Sequence, residues 1–197
     1  MIEKGKQWGE ASVVPRDVII TDSDAQLATS SRAAIYAVRG GDLFRTLGEP
    51  AVLHVDTPCL MVHVDALQCA MTTAGTSREV LAVSSIVFGT WWRGAWTAIT
   101  NAEWMGNMNI APRSHPNDGR CELLEFSSTM PIRQRVLARK KMNTGTHIPH
   151  PHITTRSARS FSFDFPSTID IRIDGIKYSD VSQLSVNVLP DYWRIVL

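Results

Sequence analysis

The sequence predicts an α+β protein that is mostly β-structure, built as a two-sheet sandwich or barrel-like arrangement. The first observation is a series of β-branched and aromatic runs, separated by turns, that fills the chain from residue 51 onward. The second is that this part contains one convincing helical pattern, at residues 131–145. The third is a small strand–helix pattern in residues 17–50. Many short strands with one helix favour a sandwich or a partly open barrel.

The composition is that of an ordinary globular protein. The chain has 197 residues, of which 44% are apolar and 20% charged, so a core can be buried without disulfide bonds. The net charge of +1 gives no electrostatic basis for nucleic-acid binding. The cysteines show no CxxC spacing, which predicts reduced thiols in a cytoplasmic protein. The N-terminus lacks the apolar core of a signal peptide, and no stretch has the length of a membrane span.

The N-terminal quarter of the chain contains two apolar runs, each followed by a turn. The run Val18–Ile20 leads into the polar turn Thr21–Gln26, and the second run ends in Gly40-Gly41. A short helix is predicted next, capped by Asp42 and stopped by Gly48. This pattern predicts a small α/β element, and in α/β proteins a phosphate-binding loop lies at the carboxyl end of such a strand.

The remaining sequence is divided into strand-like runs by turns. The predicted strands, in chain order, are AVLHVD, CLMVHVDALQCAM, REVLAVSSIVFGTWW, AWTAITNAEW, MNIAP, RCELLEFS, SARSFSFDF, TIDIRIDG, QLSVNVLP and YWRIVL. In the helix PIRQRVLARKKMNTG, we expect the buried face to consist of Ile132, Val136 and Leu137. Lys140 and Lys141 suit its last turn, because cations interact favourably with the negative end of the helix dipole.

An ordered set of motifs in the second half of the chain carries a family resemblance. The stretch NAEWMGNMNIAPRSHPNDGRCEL is followed by RIDGIKYSD and then by LSVNVLPDYWRIVL, within residues 95–197. In order and spacing these segments resemble the C-terminal domain of the diacylglycerol kinase and bacterial lipid kinase family, which also includes sphingosine and ceramide kinases. The resemblance implies a lipid kinase-like β-domain over residues 51–197.

The same resemblance implies that residues 1–50 are the remnant of a nucleotide-binding domain. DVIITDSDAQL falls where the family has a GGDGT turn after a strand, and VRGGDLFRTLG falls where it has GTGND and a helix. Asp24, Gly40 and Asp42 match these two motifs, whereas Gly41 stands in place of an asparagine. The resemblance therefore implies a degenerate nucleotide site at Asp24, Gly40, Gly41 and Asp42.

Substitutions in the first motif disfavour a bound polyphosphate. Glycines let backbone N–H groups approach phosphate oxygens closely, and here they are replaced by Asp22, Ser23 and Ala25. Asp22 and Asp24 also bring two negative charges to the turn. The sequence therefore predicts no bound cofactor, and it predicts ATP with Mg²⁺ only if the chain is an active kinase.

Two further acidic residues each have two interpretations. Asp174, in Asp174-Gly175, matches the aspartate that is thought to activate the lipid hydroxyl in the family, so it is the candidate catalytic residue if the chain is active. Asp-Gly between alternating strands is also the strongest short hairpin signal, and a turn is the preferred interpretation. Asp118, in Asn117-Asp118-Gly119, is a weak candidate ligand for a structural Mg²⁺, and a turn joining two strands is again the simpler interpretation.

Four tryptophans are concentrated within residues 91–104, namely Trp91, Trp92, Trp96 and Trp104. Adjacent residues of a strand point to opposite faces, so at least one of the first two leaves the core. Exposed tryptophans are typical of protein interfaces and lipid grooves, and the alternative is burial under the helix at 131–145. We expect a homodimer or a protein partner through these tryptophans, with lipid contact second. The basic helix could also lie on an anionic membrane surface, although a solvated polar face is the simpler interpretation.

Two functions follow from these observations. The first is a catalytically impaired pseudokinase, cytoplasmic or peripheral at the membrane, that binds a lipid or a protein as a regulatory module. The second is an active ATP-dependent lipid kinase of the diacylglycerol kinase type, which phosphorylates a lipid hydroxyl through Asp24, Gly40, Gly41, Asp42 and Asp174. The missing glycines and the shortened nucleotide-binding region favour the first function.

Overall fold

The structure is a computed structural model that describes Ile2 and residues 7–197. Within these residues the chain is mostly β-strand, and its helices are α1 (Asp24–Ala28), α2 (Gly41–Thr46) and α3 (Ile132–Met142). The strands are β1 (Glu10–Val13), β2 (Ile19–Thr21), β3 (Ile35–Val38), β4 (Pro58–Thr73), β5 (Thr76–Ala82), β6 (Ser85–Gly89), β7 (Trp96–Thr100), β8 (Trp104–Met105), β9 (Met108–Asn109), β10 (Cys121–Phe126), β11 (Ile153–Ala158), β12 (Ser160–Ile173) and β13 (Ile176–Val196). The predicted β-rich α+β class is confirmed.

Two long antiparallel strands, β4 and β13, form the centre of the sheet. Their pairing extends from Thr73 opposite Val181 to Met61 opposite Val196. On one side β4 pairs with β1 and β5, and on the other side β13 leads through β12, β6, β7 and β10 to β11. Across the described residues this network contains 11 strands, and β8 and β9 form a separate ribbon. The predicted division into two packed sheets stays a prediction, since β4 and β13 belong to one hydrogen-bonded network, with register shifts between Val181 and Gln183 and between Leu189 and Trp193.

The N-terminal α/β element is attached to this sheet. β2 and β3 are parallel, with Ile19 opposite Tyr36, and β3 pairs in parallel with the end of β13, where Arg194 lies opposite Ile35. Helices α1 and α2 follow β2 and β3 directly, so both helices begin at the carboxyl ends of parallel strands. A ligand-binding site in an α/β element is expected at this edge. The predicted domain boundary between residues 50 and 51 stays a prediction.

Buried side chains form three packed clusters. The first joins the central strands to β6 and includes Leu67, Ile86 and Leu184. The second packs the N-terminal element onto the sheet, and the third joins α3 to β7 and β10. In the strands these clusters arise from alternation, because every second side chain points to the same face.

Two segments near the N-terminus differ from the predictions. Residues 51–56, predicted as a strand, contain none, and Val52 is 65% exposed. Residues 10–13 form β1, a strand that the sequence did not predict. β1 exists because it pairs with Pro58–Met61 of β4, a distant contact that its own residues do not reveal. Met1 and residues 3–6, part of the N-terminus that the sequence predicts to lack a signal peptide, lie outside the described residues.

Helix α3 buries the opposite face from the one predicted. Ile132, Val136 and Leu137 were expected in the core, yet they are 57%, 52% and 52% exposed. The buried face consists instead of Arg135, Ala138 and Met142. The prediction was wrong because it assigned the apolar side chains to the core, whereas a buried arginine with suitable hydrogen-bond acceptors takes their place.

Candidate functional site

The turn after β2 is the first part of the site, and its residues begin a helix. Ser23 is the N-cap of α1, and its hydroxyl accepts a hydrogen bond from the Gln26 N–H at 3.2 Å. The Gln26 side chain accepts a hydrogen bond from the Asp22 N–H at 2.9 Å, so the arrangement resembles a capping box. The prediction of an open polar turn over Thr21–Gln26 is therefore wrong, because α1 starts at Asp24 within it.

Asp24 is the residue at which the two N-terminal motifs meet. Its side chain is buried, and its carboxylate accepts hydrogen bonds from the N–H groups of Asp42 at 2.7 Å and Leu43 at 3.3 Å. These N–H groups belong to the first turn of α2, where they have no partner within the helix. The Asp24 carboxylate therefore pairs two donors that would otherwise lack an acceptor.

Gly40 and Gly41 permit this close approach. Gly41 has φ +96°, and a Cβ atom there would lie 2.3 Å from Oδ1 of Asp24. Gly40 is the N-cap of α2, and a Cβ atom there would lie 2.5 Å from the carbonyl oxygen of Asp22. The prediction that Asp42 caps α2 is wrong, since Asp24 provides the capping carboxylate from a different element.

Asp42 connects α2 to the ribbon formed by β8 and β9. Its carboxylate accepts a hydrogen bond from the Gly106 N–H at 2.6 Å, in the turn between these strands. On the same helix, the Arg45 guanidinium donates to the Gly106 carbonyl at 2.8 Å and lies 4.1 Å from the centroid of the Trp104 ring. The N-terminal element and the β-rich part of the chain therefore contribute to one site.

Asp174 and Gly175 form the two-residue turn of the β12–β13 hairpin, which confirms the preferred interpretation of this motif. Their φ values are +44° and +82°, as expected for a type I′ turn. The Asp174 carboxylate accepts hydrogen bonds from the N–H groups of Val83 (2.7 Å), Ser84 (3.0 Å) and Ser85 (2.9 Å), and from the Ser84 hydroxyl (2.8 Å). These donors lie where REVLAVSSIVFGTWW, predicted as a single strand, is divided into β5 and β6.

Asp24, Asp42 and Asp174 influence one another's ionisation. Burial, reinforced by the Asp174 carboxylate, raises the pKa of Asp24 to about 7. Burial also raises the pKa of Asp42 and of Asp174, although backbone hydrogen bonds oppose the rise. A carboxyl group that titrates near neutral pH can accept or release a proton, which is the chemistry of a general base.

A cavity of about 310 Å³ opens beside these acidic residues. Three of its lining residues, Asp42, Ser85 and Gly175, belong to the acidic group or adjoin it. The rest of the lining is mainly apolar and consists of Val87, Trp91, Trp96, Met105 and Met108, with Arg139 and Arg172. Apolar walls with a few polar groups are typical of a small-molecule site.

The four tryptophans occupy different environments. Trp96 is buried, and Trp91 packs against it with ring centroids 4.9 Å apart. Trp104 is half-buried beneath the Arg45 guanidinium, whereas Trp92 is 50% exposed. The structure thus brings two of them to the cavity and leaves Trp92 on the surface. The homodimer or protein partner expected through these residues stays a prediction.

Arg135 is a structural part of the site that the sequence did not identify. Its side chain is almost fully buried and donates to the carbonyl groups of Trp91 (2.6 Å), Gly94 (2.5 Å), Ser127 (2.6 Å) and Met130 (3.1 Å). It therefore fixes α3 to the loop that carries the exposed tryptophan and to one wall of the cavity. The sequence contained one indication of this role, because Arg135 is spaced from Ala138 and Met142 as residues on one face of a helix are.

Asp118, the weak metal candidate, lies in the loop between β9 and β10. Its carboxylate accepts a hydrogen bond from the Arg120 N–H at 2.9 Å, and burial raises its pKa. Among the residues that the structure describes, no group of three or more His, Cys, Asp or Glu side chains could hold a metal ion. A role for Asp118 in binding Mg²⁺ stays a prediction.

Asp65 closes this loop and was also missed. It is buried on β4, and its carboxylate accepts hydrogen bonds from the Asn117 amide (3.1 Å) and from the N–H groups of Gly119 (2.7 Å) and Asp191 (2.9 Å). The signal was a lone acidic residue within the otherwise apolar run CLMVHVDALQCAM. A buried carboxylate with several donors indicates a structural role for Asp65 in holding the loop.

Comparisons with known proteins identify the fold. No protein-family model matches the chain, and no curated protein matches it. The chain is similar in structure to a diacylglycerol kinase from Bacillus anthracis str. Sterne, with a TM-score of 0.55 and 15% identity over 91% of this chain and 75% of the other. It is also similar to yeast NADH kinase, with a TM-score of 0.53 and 10% identity over 91% of this chain and 60% of the other.

None of the helices in the described part of the chain is long and apolar enough to cross a membrane.

At 15% identity the similarity to the diacylglycerol kinase concerns the fold rather than the activity. The resemblance predicted from the sequence motifs is confirmed at that level, and the chain has the fold of the diacylglycerol kinase-like lipid kinases.

Proposed function

We propose that the chain is a lipid kinase-like binding protein that holds an amphiphilic lipid in the cavity beside Asp42 and Gly175, and whose nucleotide turn does not hold Mg·ATP. One observation carries the proposal. The turn after β2, in which Asp22, Ser23 and Ala25 stand where the family resemblance has glycines, is folded into the capped start of α1, next to an intact and mainly apolar cavity. The protein would then act as a regulatory module, a pseudokinase, rather than as a catalyst.

The argument against nucleotide binding begins with the backbone donors. Ser23 and Gln26 use their side chains to cap α1, and Asp24 caps α2. A phosphate would have to displace the Asp24 carboxylate or lie beside it. At an effective dielectric of about 20, two like charges about 4 Å apart repel by on the order of 4 kcal/mol. Protonation of Asp24 or a bridging cation would reduce that repulsion but would not supply the missing glycine turn.

The argument for a lipid ligand begins with the cavity. Its polar lining at Asp42, Ser85 and Gly175 can hydrogen-bond a headgroup hydroxyl, and its apolar lining at Trp91 and Met105 suits a hydrocarbon chain. The solved relatives named for diacylglycerol act on a molecule of this kind. With about 310 Å³, the cavity is at the small end of ligand sites. It would therefore hold the headgroup and only the first part of an acyl chain.

An active lipid kinase is the second candidate, and one observation favours it. Asp24 and Asp42, which the family resemblance assigns to the nucleotide site, influence and are influenced by Asp174, which it assigns to catalysis. Burial and the Asp174 carboxylate raise the pKa of Asp24 to about 7, so one acidic group of this site titrates near neutral pH. In this alternative, Mg·ATP would bind at α2, and Asp174, the neighbour of the cavity-lining Gly175, would be the base that activates a lipid hydroxyl.

Calorimetric titration with Mg·ATP decides between the two candidates. We expect no binding below about 1 mM, since the turn lacks glycines and contains the carboxylates of Asp22 and Asp24. The variant that combines Asp22→Gly, Ser23→Gly and Ala25→Gly restores the glycines and removes the Ser23 cap, so any gain in its affinity for Mg·ATP measures what these substitutions cost. Micromolar affinity in the unaltered chain, or phosphate transfer from ATP to dioctanoylglycerol, would establish the kinase instead.

Binding of dioctanoylglycerol, followed by the fluorescence of Trp91 and Trp96, tests the cavity. Val87→Trp places a large side chain in the cavity wall and should abolish the fluorescence change. Val52→Trp is the matched control, because Val52 is 65% exposed and lines a different cavity. Equal titration curves for both variants and the unaltered chain would show that the lipid does not use this cavity.

A further inference from the structure

The outward-facing side of α3 is an unusual surface for a helix of a globular protein. It consists of Ile132, Arg133, Val136, Leu137, Lys140 and Lys141, and all six are exposed. We refer to these six residues as the outer face of α3. The face thus combines three branched apolar side chains, each more than half exposed, with three cations. Neither a core contact nor a purely solvated surface explains this composition, since large apolar side chains that cluster on a surface indicate a binding site.

The charge around this face is strongly one-sided. Residues 126–163 contain seven Lys or Arg residues and no Asp or Glu, in a chain whose net charge is +1. Within residues 7–197, the ion pairs that the structure shows do not include Arg133, Lys140 or Lys141. The outer face of α3 is therefore basic as well as apolar, and its natural counterpart is negatively charged.

The helix that carries this face is held firmly and lies next to the cavity. Arg135 binds the carbonyl groups of Trp91 and Gly94 from the opposite side of α3. Arg139 lines the cavity, and its guanidinium lies 5.7 Å from the centroid of the Trp91 ring. The exposed Trp92 follows in the same loop. A flat partner that contacts α3 would therefore sit close to the cavity.

We propose that the outer face of α3 docks on an anionic lipid bilayer, with Ile132, Val136 and Leu137 entering the interfacial region and the cations contacting lipid phosphates. Binding at a membrane surface draws on both buried apolar area and the attraction of cations to anionic lipids, and tryptophan is suited to the headgroup level. A protein partner fits less well, because lysine is depleted from the centres of protein interfaces. The membrane would supply a lipid that enters the cavity directly from the bilayer. This choice of ligand rests on the proposed function.

Vesicle sedimentation tests this docking. We expect the chain to bind vesicles of phosphatidylcholine with one quarter phosphatidylglycerol, to bind pure phosphatidylcholine poorly, and to dissociate as salt is raised. Replacing Arg133, Lys140 and Lys141 by Gln should lower the partition coefficient about fivefold for each cation removed. Val136→Ser with Leu137→Ser should lower it at least about tenfold.

Matched control variants lie elsewhere on the surface. Arg16→Gln removes a cation outside α3, and Val52→Ser removes an apolar side chain that is 65% exposed. Both should bind vesicles as the unaltered chain does. Equal binding by the α3 variants, or no preference for the anionic vesicles, would overturn the proposal. So would a dimer in light scattering that Val136→Ser with Leu137→Ser dissociates, since a second copy would then occupy this face.

The docking surface and the proposed function can fail separately. Binding of dioctanoylglycerol below its aggregation concentration tests the cavity, and the Val136→Ser, Leu137→Ser variant should retain it, because neither side chain lines the cavity. Loss of vesicle binding with retained lipid binding supports the docking face. Absence of vesicle binding in the unaltered chain, with dioctanoylglycerol still bound, overturns the docking inference and leaves the proposed function in place.

Discussion

The two sides of the candidate site differ in whether they leave room for a ligand. On the α2 side, buried backbone donors are paired with carboxylates of the chain itself, with Asp24 at α2 and with Asp174 at residues 83–85. On the α3 side, the cavity of about 310 Å³ remains, lined by Trp91 and Trp96. The first side is closed by hydrogen bonds and the second is open.

This difference follows from the physics of each kind of surface. Buried N–H groups must be paired, and on this side Asp24 and Asp174 supply the acceptors. An apolar cavity has no such requirement and persists as long as its walls are rigid. Here the rigidity comes from Arg135, whose hydrogen bonds fix the wall between α3 and the tryptophan loop. The following predictions test each side of the comparison.

Arg135→Met should have the largest effect, because it removes the group that fixes the open side. The four carbonyl groups that the guanidinium satisfies would lose their donor, and we expect a loss of about 3–5 kcal/mol in the free energy of unfolding. Urea denaturation measures it. Arg139→Met is the control, since Arg139 is exposed, and it should cost less than about 1 kcal/mol. Equal losses would show that the wall does not depend on Arg135.

Asp174→Ala should have the next largest effect, on the closed side. It leaves the N–H groups of residues 83–85 without their acceptor and places alanine at φ +44°. We expect the free energy of unfolding to fall by about 3 kcal/mol. Asp180→Ala is the control, because Asp180 is exposed and has a similar φ of +60°. It should cost about 1 kcal/mol from the backbone alone. A difference of less than about 0.5 kcal/mol between the two variants would contradict a structural role for the carboxylate.

Gly41→Ala tests the contact between α2 and Asp24. The new Cβ atom would lie 2.3 Å from Oδ1 of Asp24, so the capping carboxylate must move, and we expect a loss of about 2–3 kcal/mol. Gly48→Ala has a comparable φ of +84° but open space around the Cβ position, and it should cost about 1 kcal/mol. Thermal denaturation of both variants separates steric conflict from backbone strain. If Gly48→Ala proves equally destabilising, the close approach of Asp24 is not the cause.

The pH dependence of stability tests the charge on the closed side. Because the folded-state pKa of Asp24 is about 7 and the ordinary value of an aspartate is 3.8, the folded protein binds the proton more tightly than the unfolded chain does. The contribution of Asp24 to stability should therefore be fully present below about pH 4 and be lost as the pH rises through about 7. Relative to Asp24→Asn, the unaltered chain should lose on the order of 4 kcal/mol of unfolding free energy across this range. A constant difference between the two proteins would show that Asp24 is ionised throughout.

Local sequence patterns were sufficient for much of the fold. Runs of β-branched and aromatic residues between turns predicted the β-rich class, and the Asp174-Gly175 turn followed from the conformations that these residues favour. The helix at α3 and the stop of α2 at Gly48 were predicted from propensity and capping. Motif order predicted the kinase-like fold. These features depend on residues that are neighbours in the chain, so the sequence by itself determined them.

Tertiary structure alone decided how the site is closed and which surfaces remain exposed. The acceptors of Arg135 lie up to 44 residues away, and without them the sequence favoured burying Ile132, Val136 and Leu137 instead. The donors to Asp174 lie 89 to 91 residues away. A buried charge is tolerated only when such partners converge on it, and periodicity within a segment contains no information about partners from elsewhere.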